Sequence, residues 1–237
     1  MALQDRRWMT QTEAAQADID VGLRSYMLRV YNYMASGLAL TGLVAAFVAS
    51  TPAVYSAIFG TPLMWVAILA PVALVFFLSF RVHAMSAATA QICFWVYAAL
   101  NGVAFASIFM VYTGTSIARV FFITAATFGA MSLYGYTTKR DLTGMGTFLF
   151  AGLIGILIAM VVNIFLASSA LQFAISVIGV IVFVGLTAYD TQRIKDVYFA
   201  ADGEEIAAKK SIMGALTLYL DFINIFIMLM QLFGDRK

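Results

Sequence analysis

Two aspartates stand where acids are costly. Asp221 falls inside the apolar run 212–233, and Asp190 closes the apolar run 171–190, just before Thr191-Gln192-Arg193. An ionised carboxylate in hydrocarbon costs roughly 2.5–3.5 kcal/mol on insertion scales, so an acid at that depth marks a functional site by default. At about 1.5 Å per residue, Asp221 lies on the order of 15 Å inside a core roughly 30 Å thick. Two carboxylates that meet there cannot both ionise cheaply, and such a pair senses protons near neutral pH. The same oxygens suit a hard cation such as calcium, so calcium and protons would compete for Asp190 and Asp221. The plainer alternatives are an interfacial charge at Asp190, beside Arg193 and Lys195, and at Asp221 a neutral packing acid bonded to Thr217 or Asn224.

Thr217, Asp221, Asn224, Met228 and Gln231 recur at the spacing of one helix face. A polar stripe on an apolar helix faces protein or water, which makes Thr217 and Asn224 candidate lining residues. Arg81, at the end of an earlier apolar run on the same side as the acids, could lock an ionised carboxylate or serve as a snorkelling anchor. His83 lies in a loop beside it. With one His and one Cys, zinc ligand sets cannot be assembled. Cys93 reads as a small buried hydrophobe. No nucleophile elbow, phosphate loop or HExxH helix is present, so the expectation is a non-enzymatic protein with no bound cofactor. The formal net charge of +2 gives no reason to expect a nucleic-acid partner. The last run has no lysine for a retinal Schiff base.

The elements that hold these residues follow from composition. The chain has 237 residues, 63% hydrophobic and 11% charged, against roughly 45–50% and 25% in soluble domains. Residues 1–27 are polar and mixed in charge and read as a tail, and residues 28–237 as one membrane domain. Apolar runs at about 30–50, 63–80, 88–110, 117–136, 143–166, 171–190 and 212–233 are separated by turn formers or charges, with a long polar loop expected over 191–210. Open sheets cannot cross a bilayer and these runs are too uniformly apolar for barrel strands, so the fold class is an all-α bundle of seven transmembrane helices. Ala151, Gly155 and Ala159 form a row of small residues that predicts close helix packing. Eleven of the fourteen Lys and Arg fall in the amino-terminal tail and alternate loops, which places the amino terminus in the cytoplasm.

The segments Gly185-Leu-Thr-Ala-Tyr-Asp190-Thr-Gln192 and Leu216-Thr-Leu-Tyr-Leu-Asp221-Phe-Ile-Asn-Ile-Phe226 resemble the last two signature helices of the transmembrane Bax inhibitor motif family. The Ala- and Gln-rich tail and the short carboxyl terminus look like bacterial members, which implies a bacterial inner membrane. The resemblance implies six helices around a central seventh and a calcium leak pathway gated by pH. It further implies that Asp190 and Asp221 form the proton-sensing pair and that Arg81 is the arginine holding one of them in the closed state. Two functions are thus expected. One is a pH-sensitive calcium leak channel or transporter whose substrate is the calcium ion. The other is a non-conducting membrane regulator that uses the tail to bind a membrane partner such as a membrane-anchored protease.

Overall fold

The computed structural model of the chain describes residues 11–237, with side chains from Ile19 onward. Residues 1–10 of the expected tail lie outside it. Its helices are α1 (Gln11–Ser50), α2 (Pro52–Phe59), α3 (Leu63–Arg81), α4 (Ala87–Val111), α5 (Gly114–Thr137), α6 (Thr143–Leu166), α7 (Ser169–Asp196) and α8 (Glu204–Phe233). Among the described residues seven helices are long and apolar enough to cross a membrane, all but the short α2. The protein is an all-α membrane protein of seven spanning helices. Residues 11–27 of the tail are helical and continue without a break into the first span.

The ends follow from local chemistry. Ser86, Thr113 and Ser168 each cap a helix by accepting from a backbone N–H three residues on, starting α4, α5 and α7. Asp141 Oδ1 accepts from Thr143 N at 2.8 Å ahead of α6. The Thr143 side chain, and after it this backbone bond, hold the exposed Asp141 carboxyl below its usual range. Ala167 ends α6 in the left-handed region, at φ 46°, while Asn163 Oδ1 accepts from Ser168 N at 3.0 Å.

One expected boundary is wrong. The polar stretch after Asp190 is not a long loop: α7 continues to Asp196 and α8 already begins at Glu204. Thr191 and Gln192 are buried, and their polar groups find protein partners rather than water. Thr191 Oγ1 donates to Thr187 O at 2.7 Å. Gln192 accepts from Leu142 N and donates to Arg140 O, both at 2.8 Å.

α8 is the most buried span, and α1, α4, α5 and α7 pack around it, with α3 set against α4 and α6 against α7. The surround of six helices implied by the resemblance goes beyond these contacts. Lipid tails supply no hydrophobic drive between helices, so close packing and interhelical hydrogen bonds, averaging about 0.6 kcal/mol each, carry the association. Tyr219 is fully buried on α8, with ring centroids 5.5 Å from Tyr97 and 6.2 Å from Phe94. Its hydroxyl meets Thr41 Oγ1 at 2.7 Å, and Thr41 also lies 2.8 Å from Ala98 O, which ties α1, α4 and α8 together. A second hydroxyl chain runs from Tyr31 to Ser132 at 2.7 Å and on to Thr191 at 3.0 Å, joining α1, α5 and α7.

Gly135 lets α5 lie directly on α7, since any side chain there would run into the backbone of Ala188. The row Ala151, Gly155, Ala159 does not pack this way: a Cβ on Gly155 would meet open space. α6 instead turns Gly146 toward the ring of Tyr189 and Gly152 toward Val182. Small residues permit close approach, and which row uses them is decided by the neighbouring helix. Cys93 is half-buried rather than enclosed.

Candidate functional site

The carboxyls of Asp190 on α7 and Asp221 on α8 lie within hydrogen-bonding reach of each other. α7 extends beyond Asp190 by more than a turn, so this acid stands within a helix and not at its end. Asp221 is 4% exposed. Its Oδ2 is buried without a hydrogen-bond donor among the described residues. An unsatisfied buried acceptor costs about 1–3 kcal/mol, and more when charged. A proton on either carboxyl would supply the missing donor.

Thr217 and Asn224 do not hold Asp221. Thr217 Oγ1 donates back to Met213 O at 3.1 Å, and Asn224 Nδ2 to Leu220 O at 2.8 Å. Both are half-buried on the same side of α8, and both line a cavity with the two acids. Met228 turns away from that cavity and packs over Gly179 of α7.

Arg81 is exposed at the end of α3 and makes no ion pair among the described residues. The cation whose charge acts on Asp190 is Arg193, three residues on along α7. The sequence shows Arg193 beside Asp190 but not that the two share a helix face, because that depends on α7 remaining helical past Asp190.

Two cavities border Asp190, and one of them also reaches Asp221. One, of about 690 Å³, is bordered by Tyr26, His83, Arg193, Lys209 and Met213. The other, of about 790 Å³, runs between α3 and α6 with Asp221 and Asn224 in its wall and Phe76, Phe150 and Leu157 at its rim. Ser79, Asp190, Arg193 and Thr217 border both. Among the described residues no third His, Cys, Asp or Glu joins the two acids.

Sequence reasoning missed a polar cluster at the far end of α8. Gln231 Oε1 accepts from Gln172 Nε2 and from Ser176 Oγ, each at 2.7 Å. Gln172 Oε1 in turn accepts from Asn163 Nδ2 at 3.1 Å, so α6, α7 and α8 are joined. The available signal was the stripe itself: Gln231 extends the row that begins at Thr217.

The family model described as Inhibitor of apoptosis-promoting Bax1 matches residues 23–237, a stretch that contains both acids, most of the first span and all of the other six. The chain belongs to the Bax inhibitor family. Several bacterial proteins are similar to this Bax inhibitor family chain. A Rickettsia prowazekii protein is 52% identical over 228 residues, covering 95% of this chain and 96% of its own length. The Escherichia coli inner membrane protein YbhL is 51% identical over 219 residues, covering 91% and 94%. A Caulobacter vibrioides protein is 43% identical over 235 residues, covering 95% and 94%.

Proposed function

We propose that this chain is a pH-sensitive calcium leak channel or transporter of the bacterial inner membrane, gated by Asp190 and Asp221. The carrying observation is a buried Asp221 whose Oδ2 has no donor among the described residues, paired with an Asp190 that borders two cavities. With a proton between them the two carboxyls bond to each other across α7 and α8. Without it they are adjacent anions that attract a cation, and Arg193 or a calcium ion can answer that charge. Calcium takes six to eight oxygens; two carboxylates supply part of that set, Thr217 and Asn224 border the same space, and water supplies the rest. The residues thus fit a transient site on a pathway better than a closed metal cage. In this reading the amino terminus is cytoplasmic, Arg193 rather than Arg81 balances Asp190, and the protein has neither catalysis nor a bound cofactor.

Calcium flux into proteoliposomes, titrated from pH 5 to 8, tests the proposal. Wild-type protein is expected to pass calcium with a pH-dependent rate, and Asp221→Asn to lose that dependence. A mutant with the wild-type pH profile, or a wild type that passes no calcium, overturns it.

A second function has its own support in α1, whose helix begins at Gln11 and carries the polar residues 11–27 ahead of the apolar run 30–50. A helix projecting from the bilayer suits a membrane protein partner, such as a membrane-anchored protease. Removing residues 1–18 is expected to abolish co-purification of that partner and to leave flux intact.

A further inference from the structure

The geometry points to a bound anionic phospholipid, with its headgroup phosphate held by Arg193 and Lys209 and an acyl chain lying in the cleft between α3 and α6. This site does not depend on calcium conduction. The cleft is walled on one side by α3, which packs on α4, and on the other by α6, which packs on α7, so the space between them opens sideways. Its rim is apolar and faces outward: Phe76 is 57% exposed, Phe150 59% and Leu157 53%. Such a rim is matched to hydrocarbon and not to water.

At the end bordered by Ser79 and Asp190 the cleft joins the second cavity, whose wall carries His83, Arg193, Lys209 and Lys210. Lys210 is already committed to Asp202 and to Val197 O. Lys209 donates to Met85 O at 3.2 Å and stands 3.7 Å from Glu205, which leaves donor capacity on its ammonium. Arg193 makes no ion pair among the described residues. Asp221 borders the cleft alone and Lys209 the second cavity alone, so repulsion from the acid pair directs a phosphate to the Lys209 end. Basic pockets between spanning helices recognise anionic headgroups in this manner. An acyl chain seated between α3 and α6 also covers the sideways opening of the cavity that holds Asp221.

Native mass spectrometry of the purified full chain, after delipidation in detergent with phosphatidylglycerol and phosphatidylethanolamine added back, tests the assignment. Wild-type protein is expected to retain phosphatidylglycerol in preference. Arg193→Gln with Lys209→Gln is expected to weaken that retention roughly thirtyfold in protein that still elutes as a single folded species, each cation contributing a comparable share. Leu157→Trp, which narrows the cleft and keeps both cations, is expected to weaken it as well. Equal retention of the two lipids overturns the proposal, as does retention unaffected by either variant. So does inorganic phosphate that raises the thermal midpoint as much as the lipid does, since that makes the site one for free phosphate.

Discussion

Asp221 faces Asp190 with one of its oxygens lacking any donor. An amide in place of that carboxyl brings its own N–H. Asp221→Asn is therefore expected to raise stability by about 1 kcal/mol, within the usual span for satisfying a buried group. Thermal unfolding in detergent at pH 8 reads this directly, and a lowered midpoint would show that the acid is held by something other than Asp190.

Gly135 and Gly155 make a matched contrast. A side chain at Gly135 meets the Ala188 backbone, whereas one at Gly155 meets open space. Gly135→Leu is expected to destabilise by at least the roughly 1–3 kcal/mol typical of overpacking, and Gly155→Leu to change stability by less than about 0.5 kcal/mol. Detergent melting curves of the two variants side by side settle the comparison, and equal losses would contradict this packing of α5 on α7.

Gln231 accepts two interhelical hydrogen bonds, from Gln172 and from Ser176. At about 0.6 kcal/mol apiece in a bilayer, Gln231→Leu is expected to cost about 1 kcal/mol. Hydrogen exchange should quicken at the start of α7 and the end of α8, with the opposite ends of both helices unchanged.

Asp141 lies in the short connection before α6, where its bond to Thr143 holds the carboxyl below its usual range. A group whose folded value is depressed contributes stability above its unfolded value, and that contribution disappears as pH falls through the folded one. The first turn of α6 is therefore expected to fray as pH is lowered below about 3.9. Asp141→Ala should already be frayed at neutral pH and respond little to acid; hydrogen exchange at Thr143–Gly146 distinguishes the two behaviours.

Much of the bundle was readable in advance, because a bilayer demands long apolar runs and charges interrupt them. The starts and stops of α3 to α6 sit within a few residues of the apolar runs. The stretch after Asp190 was not readable, since Thr191 and Gln192 look like solvent-loving residues until Ser132 and the 140–142 backbone are placed beside them. The two acids were legible as residues, from cost alone, but their contact was not, because it requires the axial offset of α7 against α8. That Arg193 shares a helix with Asp190 was likewise hidden, because the polar residues after Asp190 read as a loop. The small-residue row on α6 misled for a related reason: spacing identifies a face and leaves open what covers it.

α6 is tied at its two extremities, to Gln192 where it begins and to Gln172 near where it finishes, and between them it rests chiefly on α7. A rod pinned at top and bottom can roll about the line through its pins. Gly146 against the Tyr189 ring and Gly152 against Val182 block that roll, so the slot beside α3 has one wall riveted along its length to the helix that carries Asp190.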